Sequence, residues 1–357
     1  MRHWSNPLLI NDRTFDDVWS RHRNEHLLFV AGSGFDPRAT AVLERLASTT
    51  GRAIDGLILE LPDAATDLAV RPLAERNRAE IEELVVASGG QLQVQVLPAY
   101  NDARSIGILI SRHFQQSKAL DAYKEVIIEI SAMPRSMFFP LIRGVLERAH
   151  LPEQHDQYWG GDLHVAVCEN PEADESILEE GATPMAPIGG FAQPRGEKPA
   201  TTIWVPVLGE RAAARVKALY EELEPDETCP VLPWPSRDPR RGDRLMLEYR
   251  RLLFEEIRLE SRNVIYAAER NPFDLYRTLD ALHDRYVESL SPLGVVGMVL
   301  SSHSSKLLSV GVLLTAYEHN LIVQHVSPGS YGLRDGADQL RVHDEIYDLW
   351  LTGEPYG

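Results

Sequence analysis

The stretch Leu27-Leu28-Phe29-Val30-Ala31-Gly32-Ser33-Gly34-Phe35-Asp36-Pro37-Arg38 decides the fold: an apolar run of strand length, a glycine turn, and then Asp-Pro opening a helical pattern. Six apolar or small residues without alternation read as a strand buried on both faces, which is how a parallel strand covered by helices reads. Glycines directly after it permit positive φ and let backbone N–H groups approach an anion, to which a helix N-terminus adds partial positive charge. The same residues also fit a tight strand-to-helix turn with Asp36 as N-cap and Pro37 as first helical residue. Pro37 stands where the third glycine of a GxGxxG fingerprint would be, so the dinucleotide motif is incomplete.

Working outward, further strand-like runs occur at 55–61, 92–98 and 125–131, separated by helical patterns at 38–48, 72–88 and 102–115. Connections of that length are crossover helices, and crossovers make a parallel sheet. A second series of runs follows at 163–169, 201–207, 263–269, 294–301 and 321–327, with helical spacing at 209–223, 241–260, 272–289 and 305–318. The expected fold class is therefore α/β: Rossmann-like, mostly parallel sheet with helices on both faces, in two pseudo-duplicated halves. On this reading 1–160 is the first half, 161–200 a strand plus a long Pro-, Gly- and acid-rich loop or lid, and 201–357 the second half. A single large sheet with that loop inserted fits the same pattern.

Ligands of open α/β sheets bind beyond the C-terminal ends of the strands, so the residues after each run matter most. Four such turns stand out. The first offers Gly32, Ser33, Gly34, Asp36 and Arg38. The second, after EVIIEI, offers Ser131 and Arg135. The third, after NVIYAA, offers Asn271 and Asp274, whose Phe-Asp followed by Arg echoes Phe35-Asp36 and Arg38. The fourth, Ser301-Ser302-His303-Ser304-Ser305-Lys306, offers Ser302, Ser305 and Lys306. Hydroxyls, N–H groups and a cation at one strand mouth can hold phosphate oxygens. Helix capping by the same serines, with a solvated lysine, is the competing explanation. Of 36 basic side chains only 5 are Lys, which makes Lys306 a departure from the chain's arginine habit.

The second and fourth turns carry a resemblance. A strand, a Ser-bearing turn and then a cation at a helix start, as in EISAMPRSM and LSSHSSKLLSVG, resembles the ligand loop of CARF-type sensors, Rossmann-like domains that bind cyclic oligonucleotides in prokaryotic defence. Met133-Pro134 departs from that pattern, where Gly or Thr is more usual, and no effector nuclease follows. The resemblance implies ligand contacts at Ser131, Arg135, Ser305 and Lys306.

Composition narrows the function classes. With 53 acidic against 36 basic side chains, net charge −17, extensive nucleic-acid binding is not expected. The segment 235–244 concentrates arginines, either as an anion dock or as a loop whose arginines pair with Asp238, Asp243 and neighbouring acids. Cys168 and Cys229 have no CxxC partner, which disfavours zinc knuckles and disulfides and suits a cytoplasmic setting. His150, His155, His164 and Cys168 do not share a face in the elements expected there, so no metal site is expected. The opening residues lack an apolar h-region, and no run is long enough to span a membrane. No pattern names a cofactor or a nucleophile. The reading is a sensor or accessory protein of a bacterial anti-phage system that binds a small nucleotide or other phosphate-bearing ligand, with a protein partner from the same system. The alternatives are an enzyme on a nucleotide or phosphorylated metabolite, using Asp36 or Asp274, and a scaffold.

Overall fold

A computed structural model describes all residues except 1–2, 5–6, 22–25, 61–69, 98–102, 117, 182, 193–198, 335–343 and 357, and the side chains of 103, 104 and 180. Along the chain the strands are β1 (Leu8–Ile10), β2 (Leu27–Gly32), β3 (Ile54–Glu60), β4 (Leu92–Val96), β5 (Glu125–Glu129), β6 (Asp162–Glu169), β7 (Ile177–Glu180), β8 (Ala186–Pro187), β9 (Thr201–Val207), β10 (Glu227–Thr228), β11 (Val231–Pro233), β12 (Ile265–Ala267), β13 (Val296–Ser302), β14 (Ile322–His325), β15 (Ser330–Leu333) and β16 (Glu345–Trp350). The helices are α1 (Phe15–Trp19), α2 (Ala41–Thr50), α3 (Arg71–Ala87), α4 (Ala103–Gln116), α5 (Arg135–Ala149), α6 (Pro171–Ser176), α7 (Ala213–Leu223), α8 (Arg241–Glu248), α9 (Pro272–Leu290) and α10 (Lys306–Glu318). They form two compact units, Met1–Gly181 with Pro328–Gly357, and Ala182–Ser327.

In unit one the strand order is β1-β16-β6-β5-β2-β3-β4, with β2 through β6 parallel and β16 and β1 added antiparallel. Numbering only its parallel strands gives 3-2-1-4-5, the doubly wound order, whose direction reverses between β2 and β5. Every residue of β2 is buried. Phe29, Ala31, Ile58, Ile127 and Ala166 make one core with Phe15, Trp19, Val42, Leu46, Ile81 and Val85. In unit two the order is β12-β11-β9-β13-β14-β8, and all but β8 are parallel. With the two-residue β10, which pairs parallel with β9 off this path, set aside, the count is again 3-2-1-4-5, with its reversal between β9 and β13. Its core gathers Trp204, Leu208, Val216, Leu232, Leu245, Tyr249 and Val299. The helix α10 is buried almost all round, so it carries no amphipathic stripe. The α/β, Rossmann-like class with mostly parallel sheets is thus present twice.

Several expectations are corrected. The last residues of the expected second half, 328–357, return to unit one, because β16 lies between β6 and β1 and buries five of its six residues. The strand at 162–169 likewise completes the first sheet. The stretch 169–181 is not a loop: Asn170 caps α6 through the N–H groups of Glu172 and Ala173, and β7 pairs with β15, a partner about 150 residues away that local sequence does not display. Beyond it β8 pairs with β14, and Ile188 and Phe191 are buried, while 193–198 lie outside the described residues. The helix expected from 38 starts at Ala41, since Asp36 and Arg38 belong to the preceding turn. The helix expected over 241–260 ends at Glu248 and continues as a π-helical turn over Arg251–Glu256. Among the described residues no helix is long and apolar enough to cross a membrane.

Candidate functional site

The four turns do not line one sheet edge: two belong to unit one and two to unit two. Within unit one, the turns after β2 and β5 meet at the point where strand order reverses. A Cβ placed on Gly34 would sit 2.5 Å from the Ala132 carbonyl oxygen, and one on Gly32 would sit 2.9 Å from Met133 Cγ. Only the absence of a side chain at Gly34 lets the turns approach that closely. Asn77 of α3 fastens the first turn, donating from Nδ2 to the carbonyls of Gly34 (3.0 Å) and Asp36 (2.8 Å). Ser33 extends the ladder, its N–H donating to the Leu59 carbonyl at 3.0 Å.

Asp36 and Arg38 face each other. Arg38 Nε and Nη2 donate to the two Asp36 carboxylate oxygens at 2.9 and 2.7 Å, and Nη2 also reaches Asp174 at 2.8 Å. Both side chains are buried. Burial alone would push the guanidinium down, but the charges of Asp36 and Asp174 outweigh it and hold Arg38 well above its ordinary value. Asp36 also accepts the Arg38 backbone N–H at 3.0 Å, closing its own turn. Ser131 is committed as well: its Oγ accepts the Cys168 N–H at 2.7 Å, and its own N–H donates to Glu129 Oε1 at 2.7 Å. Burial pushes the neighbouring Cys168 thiol well up from its ordinary value. Arg135 opens α5 after Pro134, whose backbone is extended.

Unit two repeats this arrangement where β9 and β13 part company. A Cβ on Gly209 would run into the carbonyl of His303, as one on Gly34 would into that of Ala132. Each of these glycines lies two residues beyond its unit's first parallel strand, and each carbonyl lies in the turn after the fourth. Ser305 caps α10 by accepting the Leu308 N–H at 3.3 Å. Ser302 Oγ pairs with Ser309 Oγ at 2.8 Å, and Ser301 Oγ accepts Trp204 Nε1 at 3.1 Å. Lys306 is the first residue of α10, the place that Arg135 holds in α5. The Ser-cation echo is therefore an equivalence of topology. The Phe-Asp echo is not, because Asp36 follows the first strand of its unit whereas Asp274 follows the third. Asn271 is the N-cap of α9, accepting from the N–H groups of Phe273 and Asp274, and Asp274 Oδ2 accepts the Ala268 N–H at 2.8 Å.

The remaining candidates resolve into pairing and packing. Arg241 is bidentate to Glu210 (2.7 and 2.8 Å) and reaches Glu269 at 2.6 Å, while Arg244 pairs with Asp238. His164 is fully buried, with Nδ1 2.9 Å from Asp348, which also accepts Trp19 Nε1 at 3.0 Å. It lies 3.8 Å from Glu125, itself paired with Arg52 at 2.6 Å. Burial opposes the imidazolium, but Asp348, Glu125 and Asp162 together raise His164 above its ordinary value. His150 stacks on His3 with ring centroids 3.7 Å apart, and burial, with help from His3, lowers it to about 4. The sequence reading missed Gly209 and Asn77. A glycine two residues past a buried strand was the available signal for the first; nothing local marked the second.

No family model matches the chain, and no curated protein matches it. Among solved structures it is similar to a candidate universal stress protein from Pseudomonas aeruginosa UCBPP-PA14, at 12% identity and TM-score 0.24 over 86% of this chain and 94% of that one. It is also similar to a candidate UDP-N-acetylglucosamine 2-epimerase from Listeria monocytogenes, at 10% identity and TM-score 0.23, over 80% of this chain and 75% of that one. The α/β, Rossmann-like build is read from the chain's own two mostly parallel sheets.

Proposed function

We propose that the chain is a sensor or accessory protein that takes a small nucleotide or other phosphate-bearing ligand at the reversal point of one or both units. One observation carries this reading: in each unit the helix after the fourth parallel strand begins with a cation, Arg135 in α5 and Lys306 in α10, beside a glycine turn that follows the first strand. A cation at that position opposes the helix dipole by roughly 0.3–1 kcal/mol, and an anion held there reverses the sign of that term. The crevice at a strand-order reversal is where open α/β sheets bind ligands. The enzyme alternative is weakened because Asp36 and Asp274, the carboxylates offered for acid–base work, are spent on Arg38 and on the Ala268 N–H. The resemblance of the two turns to those of CARF-type sensors is what points to a bacterial conflict system as the setting.

Native mass spectrometry of the purified chain, followed by calorimetric titration of any retained compound, tests the reading. Arg135→Ala or Lys306→Ala should weaken binding at least tenfold in a chain whose circular dichroism shows it folded. No retained mass and no heat with mononucleotides or short cyclic and linear oligonucleotides, or an affinity indifferent to both substitutions, would refute it.

A further inference from the structure

The opposite end of unit two carries a second set of functional groups that the reversal-point reading does not use. His283 lies about 16 Å along α9 from its start, and His319 follows the last residue of α10, both far from the turns that open these helices. The two imidazoles face each other across the helix pair, with ring centroids 3.9 Å apart and an interplanar angle of 32°. Asp284 adds a carboxylate: its Oδ1 is 3.4 Å from His283 Nδ1, and one donor atom from each of His283, Asp284 and His319 lies within 4.8 Å of the others. Behind them Asp280, one turn earlier in α9 and buried, holds His319 Nε2 at 2.9 Å.

We propose that His283, Asp284 and His319 bind a divalent transition-metal ion, with zinc the best match to the donors, and that Asp280 is a positioning residue for His319. Two imidazoles and one carboxylate form a three-ligand set for tetrahedral zinc that leaves the fourth place to water. A buried carboxylate on the far nitrogen of a ligating histidine fixes its tautomer and ring plane, the usual support of such a ligand. Donors around a zinc bonded at about 2.0–2.1 Å stand about 3.4 Å apart, so the cluster closes by up to about 1.4 Å. Asp284, half exposed, and the two partly exposed rings can make that movement without shifting a helix. The carbonyl end of α10, where His319 sits, adds partial negative charge that favours a cation. No sequence motif announces the set, because its two histidines lie 36 positions apart on different helices.

The experiment is titration of the full chain, stripped with a chelator, with zinc chloride by calorimetry and with cobalt chloride by visible absorption. One equivalent should bind with micromolar or tighter affinity, and cobalt should show the intense visible bands of a four-coordinate ion. His283→Gln should weaken the site at least a hundredfold and Asp284→Asn at least tenfold. Asp280→Asn should weaken it ten- to a hundredfold while keeping the cobalt spectrum, as a positioning role requires. Asp284 is exposed enough that its variant folds, so the Asp284→Asn comparison stands even if a histidine variant is unstable. Absence of a stoichiometric site in the unsubstituted chain, or an affinity unchanged in His283→Gln and in Asp284→Asn, overturns the proposal.

Discussion

Removing the Asp36 carboxylate separates a structural from a ligand-binding account of the first turn. In Asp36→Ala, Arg38 remains buried at 2% exposure with one carboxylate partner left, Asp174, whose side chain is 44% exposed. Breaking a buried ion pair by deleting one member costs about 3–5 kcal/mol, because the other charge is stranded. The lost acceptor for the Arg38 N–H adds about 1 kcal/mol, and retention of Asp174 offsets a similar amount. The expected loss is therefore about 3–5 kcal/mol, or roughly 6–20 °C in melting temperature for a unit of this size. Urea unfolding followed by tryptophan fluorescence reads it directly, since Trp4, Trp19, Trp159 and Trp350 are buried in unit one. The double variant Asp36→Leu with Arg38→Met should recover most of the loss, giving a coupling energy of about 2 kcal/mol or more. A loss below about 1 kcal/mol for Asp36→Ala, or no recovery in the double variant, would refute the reasoning.

Three further outcomes follow from the geometry. Gly209→Ala should cost about 1–3 kcal/mol by forcing its methyl group into the His303 carbonyl, whereas Gly242→Ala, with open space around it, should cost under about 0.5 kcal/mol in the same melts. Asn271→Ala should lower stability by about 1 kcal/mol through loss of the α9 cap while Asn271→Asp retains it; equal losses in both would contradict the capping assignment. His164 is raised by Asp348, Glu125 and Asp162 against its burial, so its contribution is present below about pH 6.5 and drains away as pH rises through the folded value. Unfolding free energies from pH 6 to 9 should fall for the unmodified chain and lose that slope in His164→Asn; a flat profile for the unmodified chain would disprove the linkage.

The parallel strands were legible because their two-sided burial leaves continuous apolar stretches such as Leu27–Ala31 and Val126–Ile128. Short edge strands were not: β7 and β8 owe their existence to β15 and β14, and nothing within ILEE or AP specifies those partners. At the candidate site, the cation-bearing turns that the sequence displays at Arg135 and Lys306 follow the fourth parallel strand of their respective units. The sequence could not show that Ser131, Ser302, Ser305 and Asn271 direct their polar atoms inward, since a cap and a ligand contact call for the same side chains. It also paired Asp36 with Asp274 by local similarity, where strand order pairs the loop after β2 with the loop after β9.

The chain leaves unit one after β7 and re-enters it at β15, and these two strands are paired with each other, Glu180 opposite Ser330 and Ile177 opposite Leu333. Unit two is thus an insertion hung from the open end of a hairpin. On the ribosome it is complete before unit one, whose sheet still lacks β16, and β1 has no partner until β16 arrives. Folding of the amino-terminal strand therefore waits on the carboxyl-terminal one. The same arrangement makes the insertion removable: an Asn-Gly turn joining Glu180 to Ser330 closes the hairpin by the tightest loop such strands accept. A chain shortened in that way keeps both ends of the first sheet and offers its reversal point, with Arg135, as a free-standing module, so that any ligand can be assigned to one module or the other by calorimetry alone.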